Sequence, residues 1–185
     1  MIPIKKILVP TDFSDSAHHA LRYALTLSSE LEAELVLLHV VETLAVGYAS
    51  DLFPVPMAEV FQEMTGYART ELEKLAEEAR SKGVVARQVV VQGKPSAEIV
   101  RFAEDETVDL IVLGTHGKGM LDHALFGSTT ERVIRRAPCP VLSCRLAAAA
   151  SKEELRAGLR TTPTPVSAFG PAVRSARRFD GCLSG

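Results

Sequence analysis

The chain predicts an α/β fold: a five-stranded parallel sheet with helices on both faces, in a single domain. Three observations carry that prediction. Short aliphatic runs alternate with amphipathic helical stretches from Ile4 to Cys144, the pattern of successive βα units. The run Glu34 to Val41 is too short and too aliphatic for a helix, and reads as a strand buried on both faces. Gly, Pro and Ser/Asp residues punctuate the switches between the two patterns.

The first strand is Ile4 to Val9, ended by Pro10. Ser14 or Asp15 then caps a helix whose apolar positions are Ala17, Leu21, Ala24, Leu25 and Leu31. After the second strand, residues Glu42 to Pro56 carry Gly47, Pro54 and Pro56 without periodicity, which predicts a long loop or lid-like insertion. Helical spacing returns at Val60, Phe61, Met64, Ala68, Leu72, Leu75, Ala76 and Ala79, and Gly83 supplies the stop. Val84 to Val91 makes the third strand; Pro95 opens a helix carrying Ile99, Val100 and Ala103; Val108 to Leu113 makes the fourth strand. A helix from Ser128 to Arg136 leads through Ala137-Pro138-Cys139-Pro140 to a last strand, Val141 to Cys144. Right-handed crossovers follow from this order, and ligands of such sheets sit beyond the strand C-termini at the switch point. The loops after strands one and four both end there. The domain is expected to span residues 1–145, with 146–185 a C-terminal extension: one short helix over Ala147 to Leu155, then disorder from Thr161, where large apolar residues are few. Arg174, Arg177 and Arg178 in that extension read as a solvated tail.

A chain of 185 residues buries enough surface for one core without metal or disulfide staples. Cys139, Cys144 and Cys182 are odd in number and form no Cys-x-x-Cys pair, which points to a reducing compartment, with Cys139 and Cys144 as core residues. The formal charge of −2 offers no general attraction to nucleic acid or to an anionic membrane surface. Lys5 and Lys6 precede only Ile7-Leu8-Val9 before Pro10, too short for a signal segment, and no apolar stretch could span a bilayer. The expected location is the cytoplasm.

The chemistry concentrates after the fourth strand. Gly114-Thr115-His116-Gly117 is followed by nine residues and then Gly127-Ser128-Thr129. Glycines let backbone amides lie against a ligand's oxygens, and a helix opening at Gly-Ser-Thr adds free N–H groups, hydroxyls and a positive dipole end, so the segment reads as a phosphate site. Better-known phosphate motifs fail at named residues. Gly93-Lys94-Pro95-Ser96 mimics a Walker loop, but Gln88 replaces its first glycine and Pro95 its Ser/Thr. Gly117 and Gly119 begin a dinucleotide pattern that then meets Asp122 and follows the wrong strand. A receiver domain needs an acidic residue where Gln92-Gly93 stands, and a flavodoxin-type loop needs glycine within Thr11-Asp12-Phe13-Ser14-Asp15.

The spacing G-x2-G-x9-G-[ST] after the fourth strand resembles the signature of the ATP-binding branch of universal stress proteins. Lys6-Ile7-Leu8-Val9-Pro10-Thr11-Asp12-Phe13-Ser14 resembles that family's opening strand and turn, Leu38-His39-Val40 its second strand end, and Ala137-Pro138-Cys139-Pro140-Val141-Leu142 its closing strand. The resemblance covers residues 2–145 and implies a Rossmann-like sheet of the adenine nucleotide alpha hydrolase type. It also implies the roles. Pro10, Thr11 and Asp12 would line the ribose side, with the Asp12 carboxylate accepting from ribose hydroxyls; Val40 would offer backbone groups to adenine; Leu113 and Gly114 would floor the site. Gly117, Gly127, Ser128 and Thr129 would hold the phosphates, with Lys118 as a further partner and Mg2+ as an optional companion of ATP. The family also implies a homodimer paired through the last strand.

Each role has a plainer competitor. Asp12 also suits a turn before the Ser14 cap, and Ser128 and Thr129 suit an ordinary helix start. His116 and His123 lack matched metal-ligand spacing and read as loop or core residues, and His39 as a strand histidine with its ring hydrogen-bonded. The expected function is a nucleotide-dependent regulatory module of the stress response. The alternatives are a slow ATP-hydrolysing enzyme, for which Asp122 and Glu131 lack a supporting motif, and a nucleotide-free dimeric scaffold.

Overall fold

The computed structural model describes residues 3–42, 57–115 and 127–145. Their elements run β1 (Lys6–Pro10), α1 (Asp15–Leu31), β2 (Glu34–Glu42), α2 (Met57–Ser81), β3 (Ala86–Gly93), α3 (Pro95–Asp105), β4 (Leu110–Gly114), α4 (Ser128–Arg136) and β5 (Val141–Cys144). The strands form one sheet in the order β3-β2-β1-β4-β5, and every neighbouring pair is parallel. This is the predicted architecture. The expected loop at 42–56, all but its first residue, and the extension at 146–185 lie outside the described residues.

Both faces of the sheet are covered, so successive strand residues enter different cores. Ile7 and Val9 of β1, Leu35 and Leu37 of β2 and Val112 of β4 pack with Leu21 and Leu25 of α1 and Leu72 and Ala76 of α2. Leu8, Val36, Leu38, Ile111 and Leu113 pack on the other side with Ile99 and Ala103 of α3 and Val133 of α4. A strand sandwiched in this way has no solvent face, which is why its sequence reads as continuous rather than alternating.

Helix ends explain where the strand boundaries differ from the sequence expectation. Glu32, Gly83 and Thr107 all adopt left-handed backbone, with φ of 52, 77 and 50°. In each case the next residue's N–H reaches the carbonyl five positions back: Ala33 to Ser28, Val84 to Ala79 and Val108 to Ala103, each at 3.0 Å. Val84 and Val108 are therefore the buried apolar residues that close α2 and α3, not the first residues of strands. β3 starts later, at Ala86, and β4 at Leu110. β1 likewise starts at Lys6 rather than Ile4. Cys144 is buried, whereas Cys139, expected in the core, packs against it while staying partly exposed. Burial pushes both thiols above their ordinary range and keeps them protonated.

The sheet parts beside its middle strand. β1 is registered with β2 along its whole length but with β4 only at Ile7 and Leu8. Thr11 N–H donates to Leu38 O at 2.9 Å, towards β2. Alternate residues of a parallel strand bond to opposite neighbours, so the Pro10 nitrogen faces the β4 side, where proline has no hydrogen to donate. The backbones separate there without stranding a donor.

Candidate functional site

A cavity of about 420 Å³ opens at that parting, beyond the C-terminal ends of β1, β2 and β4. Of the eleven residues expected at the site, nine line it: Pro10, Thr11 and Asp12 after β1, Val40 on β2, Leu113 and Gly114 on β4, and Gly127, Ser128 and Thr129 at the start of α4. Gly117 and Lys118 lie outside the described residues, as do His116, Asp122 and His123.

The loop after β1 is held by its own short polar side chains. Phe13 N–H donates to Thr11 Oγ1 (3.0 Å), and Asp12 Oδ1 accepts from Ser14 N–H (3.1 Å) and Ser14 Oγ (2.6 Å). Ser14 Oγ in turn accepts from Ala17 N–H at 3.3 Å and caps α1. Asp12 therefore takes the turn role, and it is also one of the residues lining the cavity. His39 Nδ1 lies 2.8 Å from Thr11 O, as the sequence expectation of a hydrogen-bonded ring required.

The cavity is also lined by the start of α4, whose N-cap Gly127 donates its N–H to Thr115 O at 2.7 Å. Intrahelical bonding starts with Glu131 N–H to Gly127 O (2.9 Å), so the N–H groups of Ser128, Thr129 and Thr130 precede it. They sit at the positive end of the helix dipole, beside hydroxyls. Thr130 Oγ1 donates to Gly114 O at 2.9 Å and ties this helix start to the end of β4. Gly114 itself is required by packing. A Cβ there would lie 2.7 Å from the backbone carbon and oxygen of Ser16, so α1 crosses β4 only where a side chain is missing.

Several cavity residues were not singled out from sequence. Glu42 could have been, because it continues the period of two set by Leu38 and Val40 along β2. Ile99, Pro95, Val133 and Thr130 come from helices whose docking no local pattern reveals. The charged side chains among the described lining residues are the acidic Asp12 and Glu42. No group of three His, Cys, Asp or Glu residues suited to a metal occurs among the described residues. No described helix is long and apolar enough to cross a membrane.

Comparison with known proteins places this geometry among relatives. Residues 3–145 match the model of the universal stress protein family. Universal stress protein MJ0531 of Methanocaldococcus jannaschii is 40% identical over 139 residues, covering 75% of this chain and 80% of its own. Universal stress protein MJ0577 of the same organism is 35% identical over 151 residues, covering 75% and 93%. The solved structure of MJ0577 superposes with a TM-score of 0.70 over 79% of this chain and 99% of its own. A universal stress protein from Archaeoglobus fulgidus, solved in complex with dAMP, shares the fold at 21% identity, with a TM-score of 0.54 over 77% and 99% of the two chains.

Proposed function

The chain belongs to the universal stress protein family, and from that premise we propose that its cavity holds an adenine nucleotide, ATP foremost, as a regulatory ligand rather than a substrate for turnover. The observation that carries this reading is that one cavity is lined both by the start of α4, whose first N–H groups favour an anion, and by the carboxylate residue Asp12. A nucleotide presents both demands on one molecule: phosphates at one end and donor hydroxyls in the middle. Val40, Ile99 and Leu113 supply apolar surface for a base. Gly127, Ser128 and Thr129 take the phosphates, joined on the family pattern by Gly117 and Lys118. An accompanying Mg2+ is held chiefly by the phosphate oxygens, with at most one or two carboxylates.

Holding is favoured over splitting because phosphoryl transfer also demands an oriented water and a positioned base, and the candidates for such work, Asp122 and Glu131, stand in no supporting motif. We place the protein in the cytoplasm and pair it as a homodimer through β5, one of the sheet's two edge strands, where Leu142 is exposed. Isothermal titration with ATP, ADP and AMP tests the nucleotide reading. Saturable heat with ATP, weakened in Gly127→Val, is expected; no heat and no thermal shift with any nucleotide would sink it. Light scattering tests the dimer, and a monomer at micromolar concentration removes the pairing.

A further inference from the structure

We infer that His39 is a positioning residue: it holds both peptide neighbours of Asp12, and thereby sets how strongly the site favours a nucleotide with ribose hydroxyls over one without. The inference rests on the nucleotide reading above.

One imidazole touches the loop twice. Its Nδ1 is 2.8 Å from Thr11 O, and since a carbonyl only accepts, Nδ1 carries the hydrogen. The ring also stacks on Phe13, with centroids 4.5 Å apart and planes at 22°. Asp12 is the residue between these two contacts. Phe13 has φ of 62°, a left-handed backbone that an aromatic residue keeps only where its surroundings enforce it. Here the enforcement is visible. Phe13 N–H is bonded to Thr11 Oγ1, one ring face lies on His39, and the ring meets Tyr67 of α2 edge-on, with centroids 6.2 Å apart. If Phe13 relaxes to ordinary backbone, the peptide after Asp12 turns and the carboxylate leaves its place above Ser14. Neither contact alone needs histidine. A phenyl ring can stack and an amide can donate, but histidine does both from a strand residue that, with its neighbours Leu38 and Val40, lines the cavity.

Titration of the full chain with ATP and with 2′,3′-dideoxyATP separates this role from a general structural one. The wild type is expected to favour ATP by about tenfold, the scale of hydrogen bonds to a charged group. In His39→Ala that preference falls to about twofold or less, because ATP loses more affinity than the dideoxy analogue. His39→Phe, which keeps a stacking ring, and His39→Asn, whose amide can reach Thr11 O, each retain part of it. These two variants also carry the test if circular dichroism shows His39→Ala unfolded. A preference unchanged in all variants, or equal losses for both nucleotides, overturns the inference. So does a wild type that binds both without preference, while the nucleotide reading survives. A wild type that binds neither overturns both.

Discussion

At the N-terminal edge of the sheet charged side chains are matched to one another, whereas at the C-terminal edge the polar groups come from a loop and a helix start arranged around a space. Below, Lys6 Nζ donates to Glu106 O (2.8 Å) and Glu106 Oε2 (3.1 Å), and Arg87 donates to Glu106 Oε2 (2.7 Å) and Glu34 Oε1 (3.1 Å). Asp109 Oδ2 accepts from the N–H groups of Lys5 and Lys6 at 2.8 and 2.9 Å. The Arg87 guanidinium also lies over the Phe102 ring, 5.7 Å from its centroid. This network ties β1, β2, β3 and the turn before β4 together. Above, Asp12 bonds its own loop, and the first residues of α4 line the cavity. One sheet thus separates fastening from reception, and substitutions at the two ends should move different observables.

The largest effect is expected where the two demands meet. Gly114→Val forces a side chain into the Ser16 backbone and should cost about 3 kcal/mol in urea unfolding. ATP binding should fall with it, because α1 and β4 can no longer approach. Next, Asp12→Ala should weaken ATP by about 2 kcal/mol, roughly thirtyfold, in titration calorimetry, while the loss of its bonds to Ser14 lowers unfolding stability by a smaller amount, about 1 kcal/mol. Equal losses of stability and affinity would blur the distinction between the two ends. Arg87→Ala is the converse: a stability loss below about 1 kcal/mol, since these side chains remain solvent-accessible, with ATP affinity unchanged. The smallest effect is one of pH. Hydrogen bonds from Arg87 and then Lys6 hold the Glu106 carboxyl below its ordinary 4.5. A depressed folded value gives stability that is present above 4.5 and is lost as pH falls through the folded value, so the small advantage of wild type over Glu106→Gln should fade as the pH is lowered beneath 4.5. An advantage that persists at acid pH would remove Glu106 from the fastening network.

The sheet was legible because its strands are buried on both faces and its helices carry strong punctuation: Ser14 before α1, Pro95 at the start of α3 and Gly127 before α4. Helix stops were less so. Gly83 announces a left-handed residue, whereas Glu32 and Thr107 take the same conformation without announcing it; in either case the apolar residue that follows, Val84 or Val108, carries the pattern of a strand. Their burial comes from closing a helix, a tertiary fact that hydrophobic pattern alone does not distinguish from strand burial. At the site, residues within one contiguous motif were readable: Pro10 to Asp12 and Gly127 to Thr129 both reach the cavity. What escaped were side chains delivered by packing, such as Ile99 from α3, and the dual role of His39, which needs Thr11 and Phe13 in view at once. Gly114 was found for one reason and is a glycine for another: its identity is dictated by the crossing of α1.

Pro10 has a kinetic consequence. Because its ring nitrogen stands where β1 would otherwise offer β4 another N–H, the gap between these strands is written into the covalent chain. A molecule entering there breaks no ladder bond and waits for no fluctuation of the sheet. On this wall no pairing of the sheet has to be undone, so association should not be limited by rearrangement of β1 against β4, and the lifetime of the complex should be set by the contacts that release last.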